Sequence, residues 1–275
     1  MHRAVRCRNC PEQSQILKLF CEHGSDVNLA NRIGCSPLYL ATFYSCLYNM
    51  EILLLYGADP NRVCWRGNSY GSALHIASMK DRKALAEKLI AYGTQLDLRN
   101  NQDATPLYLN ICANNRSTVA PLLIYHGADM SGKDKFHYTL LALCIRNMHL
   151  ECETLTRQMV YAGYDLRADL WLEPPWLNKL SDNTENQNND VTPSDDAGSV
   201  DDVIPDVPIA AGRVAALCDW LRERQCSPLD LTDLCRIAIR HSLSRHTDGA
   251  SIVANMYKLP LPPALNDFVA MKGFF

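Results

Sequence analysis

The chain has 275 residues, 47% of them hydrophobic and 21% charged, with a formal net charge of −3. That is ordinary globular composition with ample core, and its slight acidity offers no basis for binding nucleic acid. No apolar run approaches the ~20 residues needed to span a bilayer, and Met1-His2-Arg3-Ala4-Val5-Arg6 lacks the apolar core of a signal peptide, so the cytosol or nucleus is the expected compartment and no membrane partner is expected.

Twelve cysteines would suggest disulfides in a short secreted chain. In a chain of this length without an export signal, reduced thiols are the expectation. Cys46, Cys112, Cys144 and Cys218 stand alone in apolar stretches, where a thiol acts as a small hydrophobe. Cys7-x-x-Cys10 lacks a second ligand pair at zinc spacing, so neither metal nor cofactor is expected.

Glycines recur in matching contexts along residues 1–168: Gly24-Ser-Asp-Val-Asn, Gly57-Ala-Asp-Pro-Asn, Gly93-Thr-Gln-Leu-Asp, Gly127-Ala-Asp-Met and Gly163-Tyr-Asp-Leu, separated by 33, 36, 34 and 36 residues. A second phrase lies upstream: Ser36-Pro37-Leu38-Tyr39-Leu40-Ala41, Ser72-Ala73-Leu74-His75-Ile76-Ala77, Thr105-Pro106-Leu107-Tyr108-Leu109-Asn110 and a degraded Tyr138-Thr139-Leu140-Leu141-Ala142. Ser or Thr caps the first helix of each unit, and Pro presets φ at its first turn. Glycine ends the second helix, where φ > 0 costs it least. A period near 33 with a Thr-Pro-Leu-His-x-Ala phrase is the ankyrin signature, and the predicted fold is an all-α ankyrin solenoid. Met1-His2-Arg3-Ala4 resembles the middle of the same phrase. It brings the count to about five repeats with atypical ends; a portion missing from the first repeat is the alternative.

The third finger is three residues longer than the second, the extra length falling near Val63–Tyr70. Trp65, Arg66 and Tyr70 there are candidate contacts for a protein substrate, Trp and Arg being enriched at hot spots. Trp65 folding back onto the stack is an equal alternative. Lys133, Lys135, Phe136 and His137 form a second candidate in the last finger, with Lys133 and Phe136 as its leading contacts.

Residues 169–205 are expected to form an apolar end cap (Trp171, Leu172, Pro174, Pro175, Trp176) and then an acidic linker. Residues 181–206 hold eight Asp/Glu and no Lys or Arg, too little apolar surface to offset ordering entropy, so disorder is predicted. Val214, Leu217, Cys218 and Leu221 form a helical stripe in a predicted bridging helix, roughly 211–224 within a segment 206–226, packed between the last repeat and the C-terminal residues 227–275.

Residues 227–275 carry a split signature. In Asp230-Leu-Thr-Asp-Leu-Cys-Arg-Ile-Ala-Ile239, Leu231, Cys235 and Ile239 fall four apart on one helix face. Asp230 is the predicted N-cap, with Asp233 favouring the positive end of the helix. Leu259-Pro260-Leu261-Pro262 comes next as a rigid extended corner. Pro263 then starts a helix bearing Leu265, Phe268 and Val269.

These two elements, in this order, resemble a suppressor-of-cytokine-signalling (SOCS) box, expected here as three helices. Asp230 departs mildly from the small residue usual before the first leucine. With the repeats, nearly the whole chain outside the linker resembles the ankyrin-repeat and SOCS-box family. The resemblance implies that Leu231, Leu234, Cys235 and Ile239 bind elongin C, itself paired with elongin B, Leu234 and Ile239 either extending that contact or packing the box's own hairpin. It implies that Leu259, Pro260, Leu261, Pro262 and Leu265 face cullin-5, which carries a RING subunit. The expected function is substrate recognition for a ubiquitin ligase, with an unidentified protein substrate on the ankyrin face. The rival is a passive ankyrin scaffold whose box only caps the stack.

No phosphate loop, His-Glu-x-x-His or nucleophile elbow occurs, so no catalytic residue is expected. His75 occupies the ankyrin phrase position, where a structural hydrogen bond is expected. Cys235 is read as an inert buried thiol rather than a nucleophile.

Overall fold

A hydroxyl residue precedes the first helix of each of four repeats, and in the computed structural model each one closes its helix start. The structure describes residues 1–6, 11–64, 71–113, 117–131, 139–146, 152–166, 216–221, 223–224, 230–247 and 249–272. Ser36 Oγ accepts from the Tyr39 N–H at 3.2 Å, Thr105 Oγ1 from Tyr108 at 3.3 Å and Thr139 Oγ1 from Ala142 at 3.2 Å. Each satisfies an orphan first-turn donor. In the third repeat the Ser72 N–H donates to His75 Nδ1 at 3.0 Å. Its Nε2 donates to the Ala104 carbonyl of the next repeat at 3.2 Å. Burial pushes the pKa of this fully buried ring down to about 4, so it stays neutral. His75 is therefore the structural tie its position implied.

The described residues form five helix pairs. A 3-10 turn (Ala4–Arg6) pairs with α1 (Pro11–Glu22), α2 (Pro37–Phe43) with α3 (Leu47–Leu55), and α4 (Ala73–Met79) with α5 (Lys83–Ala91). The fourth pair is α6 (Pro106–Ala113) with α7 (Val119–His126), the fifth α8 (Leu140–Arg146) with α9 (Cys152–Ala162). First helices stack on first helices and second on second. One continuous apolar cluster, including Val5, Leu38, Leu74, Leu107 and Leu143, runs through all five pairs. All five repeat glycines have positive φ, from 73° at Gly24 to 105° at Gly163.

Successive fingers are tied by one recurring side chain. Asn28 Oδ1 accepts from the Asp59 N–H at 2.8 Å, Asn61 Oδ1 from Gln95 at 2.7 Å, and Asp97 Oδ1 from Asp129 at 2.8 Å. Burial lifts Asp97 to about 6, against the lowering effect of that hydrogen bond. At the base of the enlarged third finger, Cys64 and Gly71 form an antiparallel bridge, with N···O distances of 3.0 and 3.4 Å.

The C-terminal part is a helix trio: α10 (Leu231–Arg245), α11 (Val253–Met256) and α12 (Pro263–Val269). Residues 1–165 and 229–275 form one compact unit and 166–228 another. In the second unit, residues 216–221 are helical, with Leu217, Cys218 and Leu221 buried. Val214, the apolar cluster at 171–176 and the acidic linker lie outside the described residues. Cys46 and Cys144 are buried as expected, but Cys112 is exposed. It falls in the last turn of α6, two residues beyond the buried Asn110, where the helix runs out of the core.

Candidate functional site

Asp230 caps α10 as its position implied: its carboxylate accepts from the Asp233 N–H at 2.6 Å and from Thr232 Oγ1 at 2.5 Å. These bonds, led by the Thr232 hydroxyl, hold its pKa below the usual carboxylate value. The helix it opens has two unlike faces. On one, Arg236 and Arg240 are buried, and the Ile237 side chain meets Gly163 so closely that a β-carbon there would stand 3.0 Å away. On the other, Leu231 is 76% exposed, Leu234 is 48% exposed and Cys235 is exposed. Positions 231, 234 and 235 lie one turn apart, so the apolar groups form a continuous strip. Cys235 is thus not a buried thiol in the free chain, because α10 turns its arginine face inward. Ile239, grouped with the strip by spacing, is instead half-buried against the box's own core of Met256, Val269 and Ala270.

The two arginines anchor the helix. Arg240 donates to the carbonyls of Ile124 at 2.7 Å, Tyr125 at 3.2 Å and Val269 at 3.3 Å. The first two lie at the negative end of α7, where a cation is favoured, and Ile124 also accepts from the Gly127 N–H at 3.1 Å. Burial and the nearby Arg236 lower its pKa to about 10, leaving it charged at neutral pH. Arg236 pairs with Asp233 and stands 5.0 Å from the Phe268 ring centroid.

A second seam closes the same junction. The Ile252 N–H donates to the His126 carbonyl at 2.9 Å and the Leu96 N–H to the Gly249 carbonyl at 2.7 Å. Ile252 lies over Gly127, where a β-carbon would fall 2.8 Å from it. His126 Nδ1 is 2.5 Å from Ser251 Oγ, and Met271 is fully buried in the repeats' own apolar cluster. The helix trio is therefore seated on the fourth and fifth repeats.

At the proline corner, Leu259 and Leu261 are half-buried, Pro260 and Pro262 exposed, and Leu265 is 50% exposed. The Leu261 N–H donates to the Leu259 carbonyl at 2.8 Å. Asn266 fastens the corner, its Nδ2 donating to the Leu261 carbonyl at 3.3 Å and its N–H to Pro262 at 3.1 Å. Pro263 opens α12 at its first turn as expected.

The candidate substrate contacts Trp65, Arg66, Tyr70, Lys133 and Phe136, with Lys135 and His137, lie outside the described residues. Among described residues, exposed large apolar groups on the repeats concentrate in the first three: Leu29, Ile33, Tyr48 and Leu55 are 52–71% exposed. Sequence reasoning did not single these out. Nor did it find Arg236, Arg240 or Asn266.

Residues 227–270 match the SOCS box family model and residues 69–165 the model for three ankyrin repeats. The chain is an ankyrin-repeat and SOCS-box protein. Among curated relatives, an ankyrin repeat protein of fowlpox virus is 32% identical over 109 residues, 39% of this chain and 17% of that protein. The human B-cell lymphoma 3 protein is 33% identical over 138 residues, 49% of this chain and 30% of its own length. Zebrafish neurogenic locus notch homolog protein 1 is 35% identical over 91 residues, 33% of this chain and 4% of its own. The ankyrin-repeat and SOCS-box protein thus spans well under two thirds of each of these relatives. Among the described residues no helix is long and apolar enough to cross a membrane, and no group of three His, Cys, Asp or Glu is placed to hold a metal.

Proposed function

We propose that the protein is the substrate-recognition subunit of an elongin B/C–cullin-5 RING ubiquitin ligase, a non-catalytic adaptor that brings a protein target to the ligase. One observation carries this reading: the strip of Leu231, Leu234 and Cys235 stays open to solvent while the opposite face of the same helix is buried in its own molecule. A helix anchored on one side and apolar on the other suits insertion into a partner's groove. Leu231 and Cys235 would enter the elongin C cleft, with Leu234 beside them, and Ile239 would support the strip from within. Burying one such leucine is worth ~1.5–3 kcal/mol, or one to two orders of magnitude in affinity. Leu259, Pro260, Leu261, Pro262 and Leu265 would offer cullin-5 a stiff surface with little ordering cost on binding. The target's lysines would gain in local concentration near the charged conjugating enzyme without this chain making or breaking a bond.

The seating of the box on the fourth and fifth repeats supports the rival reading, a scaffold whose box serves only as a cap. One mixing experiment separates them. Purified chain combined with elongin B and C should elute as a ternary complex, lost on Leu231→Ser with Cys235→Ser; a wild-type chain that stays apart from elongin ends the ligase reading. Replacing Pro260 and Pro262 by alanine should weaken cullin-5 binding while sparing elongin, and equal binding by both forms would remove the cullin-5 assignment.

A further inference from the structure

The second and fourth fingers are each closed by an asparagine, and the third has a cysteine in that place. The Asn31 N–H donates to the Cys35 carbonyl at 2.9 Å, that of Asn100 to Ala104 at 3.0 Å and that of Cys64 to Gly71 at 3.0 Å, so the three pairs share one register. Asn31 Oδ1 also accepts from the Ile33 and Cys35 N–H groups at 3.0 Å. Asn100 Oδ1 accepts from those of Gln102 and Ala104 at 2.9 Å. A thiol is a poor substitute for that amide oxygen, being only a weak acceptor. Cys64 Sγ turns instead to the preceding finger, where it lies 3.7 Å from the Ile33 carbonyl.

A second thiol meets it there. At the position that holds Gly71 in the third finger and Ala104 in the fourth, the second finger carries Cys35. Cys35 Sγ lies 4.0 Å from the same Ile33 carbonyl and is hydrogen-bonded to the Cys64 thiol. Both are buried, at 6% and 1% exposure. The next joint, between Gly71 and Asn100, is built without sulfur, so packing alone does not call for the pair. We propose that Cys35 and Cys64 are a reversible redox pair that closes into a disulfide under a hydroperoxide, tying the second finger to the third. This does not depend on ligase recruitment.

While the joint is closed the pair is protected, because burial pushes the Cys35 thiol up to about 12 and keeps its thiolate scarce. Attack follows local opening of the Cys64–Gly71 bridge, which has only two N–H···O bonds, at 3.0 and 3.4 Å. The Cys35 thiolate then displaces hydroxide from the peroxide, giving a sulfenic acid and, with the thiol proton, one water. As the bridge recloses, Cys64 Sγ attacks that sulfur. The S–S bond forms, and hydroxide leaves with the Cys64 proton as a second water. Two thiols are oxidised and one peroxide is reduced to two waters. Closure draws the sulfurs from contact to about 2.05 Å.

The test treats the folded, reduced full chain with hydrogen peroxide, then unfolds it in an alkylating agent and digests it for mass spectrometry. The expected product is a peptide pair joined through Cys35 and Cys64, two hydrogens lighter than the reduced peptides and separated again by dithiothreitol. Replacing the exposed Cys112 and Cys235 by serine should leave that link intact, and Cys64→Ala should leave Cys35 in no disulfide. Recovery of both thiols unlinked after prolonged exposure overturns the proposal. So does a link that forms only in urea, or one that joins Cys35 to Cys46.

Discussion

The two ends of the ankyrin stack are finished differently. At the C-terminal end, α10 to α12 supply what a further repeat would, down to a buried arginine on the last carbonyls of α7 and an isoleucine on the glycine just beyond them. At the N-terminal end, α1 leaves the equivalent joint exposed. The box helix thus has two unlike faces: its arginine face closes the solenoid, and its leucine–cysteine face stays open to solvent.

The largest effect should come from Arg240. Arg240→Met keeps the apolar stem but removes the guanidinium's hydrogen bonds to the Ile124, Tyr125 and Val269 carbonyls, of which Ile124 keeps the Gly127 N–H. A hydrogen bond to a charged group is worth ~1.5–3 kcal/mol and an unsatisfied buried acceptor costs ~1–3 kcal/mol, so about 2–4 kcal/mol of stability should go. At roughly 2–4 °C per kcal/mol for a chain of this size, calorimetry should register the loss clearly. If the repeats melt at the wild-type temperature, the box is only tethered to them and the contrast between the two ends is false.

How much of this was legible beforehand depended on the range of the interaction. The glycine period, the Ser and Thr caps, the Asp230 cap and the Pro263 helix start are local, each decided by residues within one turn, and all four are found. The open strip at Leu231 and Cys235 could be located by spacing. Its exposure could not, because that depends on which face of α10 meets the repeats. Ile239 shows the limit: it shares the four-residue period with Leu231 and Cys235 yet faces the box's own core. Arg236 and Arg240 read as surface residues because arginine is almost never fully buried unless paired. The partners of Arg240 lie on α7 and α12, and in sequence Arg240 is 116 residues from Ile124, whereas Arg236 finds its carboxylate, Asp233, on its own helix. The exposure of Ile16, Leu19 and Phe20 on α1 was likewise hidden, because Ile52 and Leu53 at the matching places on α3 are buried against a neighbouring repeat.

A smaller effect sharpens the comparison within the solenoid itself. Gly57 and Gly127 end equivalent helices with nearly equal φ, 84° and 91°. A β-carbon at Gly57 meets nothing within 4 Å, whereas at Gly127 it lands 2.8 Å from Ile252. Alanine at either position incurs the left-handed backbone penalty of roughly 1–2 kcal/mol, so the excess at Gly127 reports the box's close approach alone. Gly127→Ala should lower stability in urea denaturation by about 1 kcal/mol or more beyond Gly57→Ala. Shortening Ile252 to alanine should erase that excess, making the double variant milder than the sum of its parts. Equal losses at Gly57 and Gly127 would mean that the box does not press on the stack.

The smallest effect should be a pH dependence, and three groups set its sign. His126, at the junction, and His75, inside the stack, both have pKa values lowered from 6.5 to about 4 by burial, with Arg240 adding to the effect at His126. Between about 6.5 and 4 the unfolded chain binds protons that the folded chain refuses, so the stability held above pH 6.5 is lost progressively as pH falls. Asp97 acts in the opposite sense: raised from 3.8 to about 6, it contributes stability that is full below 3.8 and is lost as pH rises through 6. Two histidines outweigh one carboxylate, so the melting temperature should decline from pH 7 to pH 4.5. His126→Gln removes only the junction's share. It should flatten the decline and, in hydrogen exchange, slow the acid-induced opening of the Ile252 and Leu96 amides that tie the box to the repeats. A slope that His126→Gln leaves untouched would assign the acid sensitivity to His75 and the stack, and leave the junction insensitive to protons.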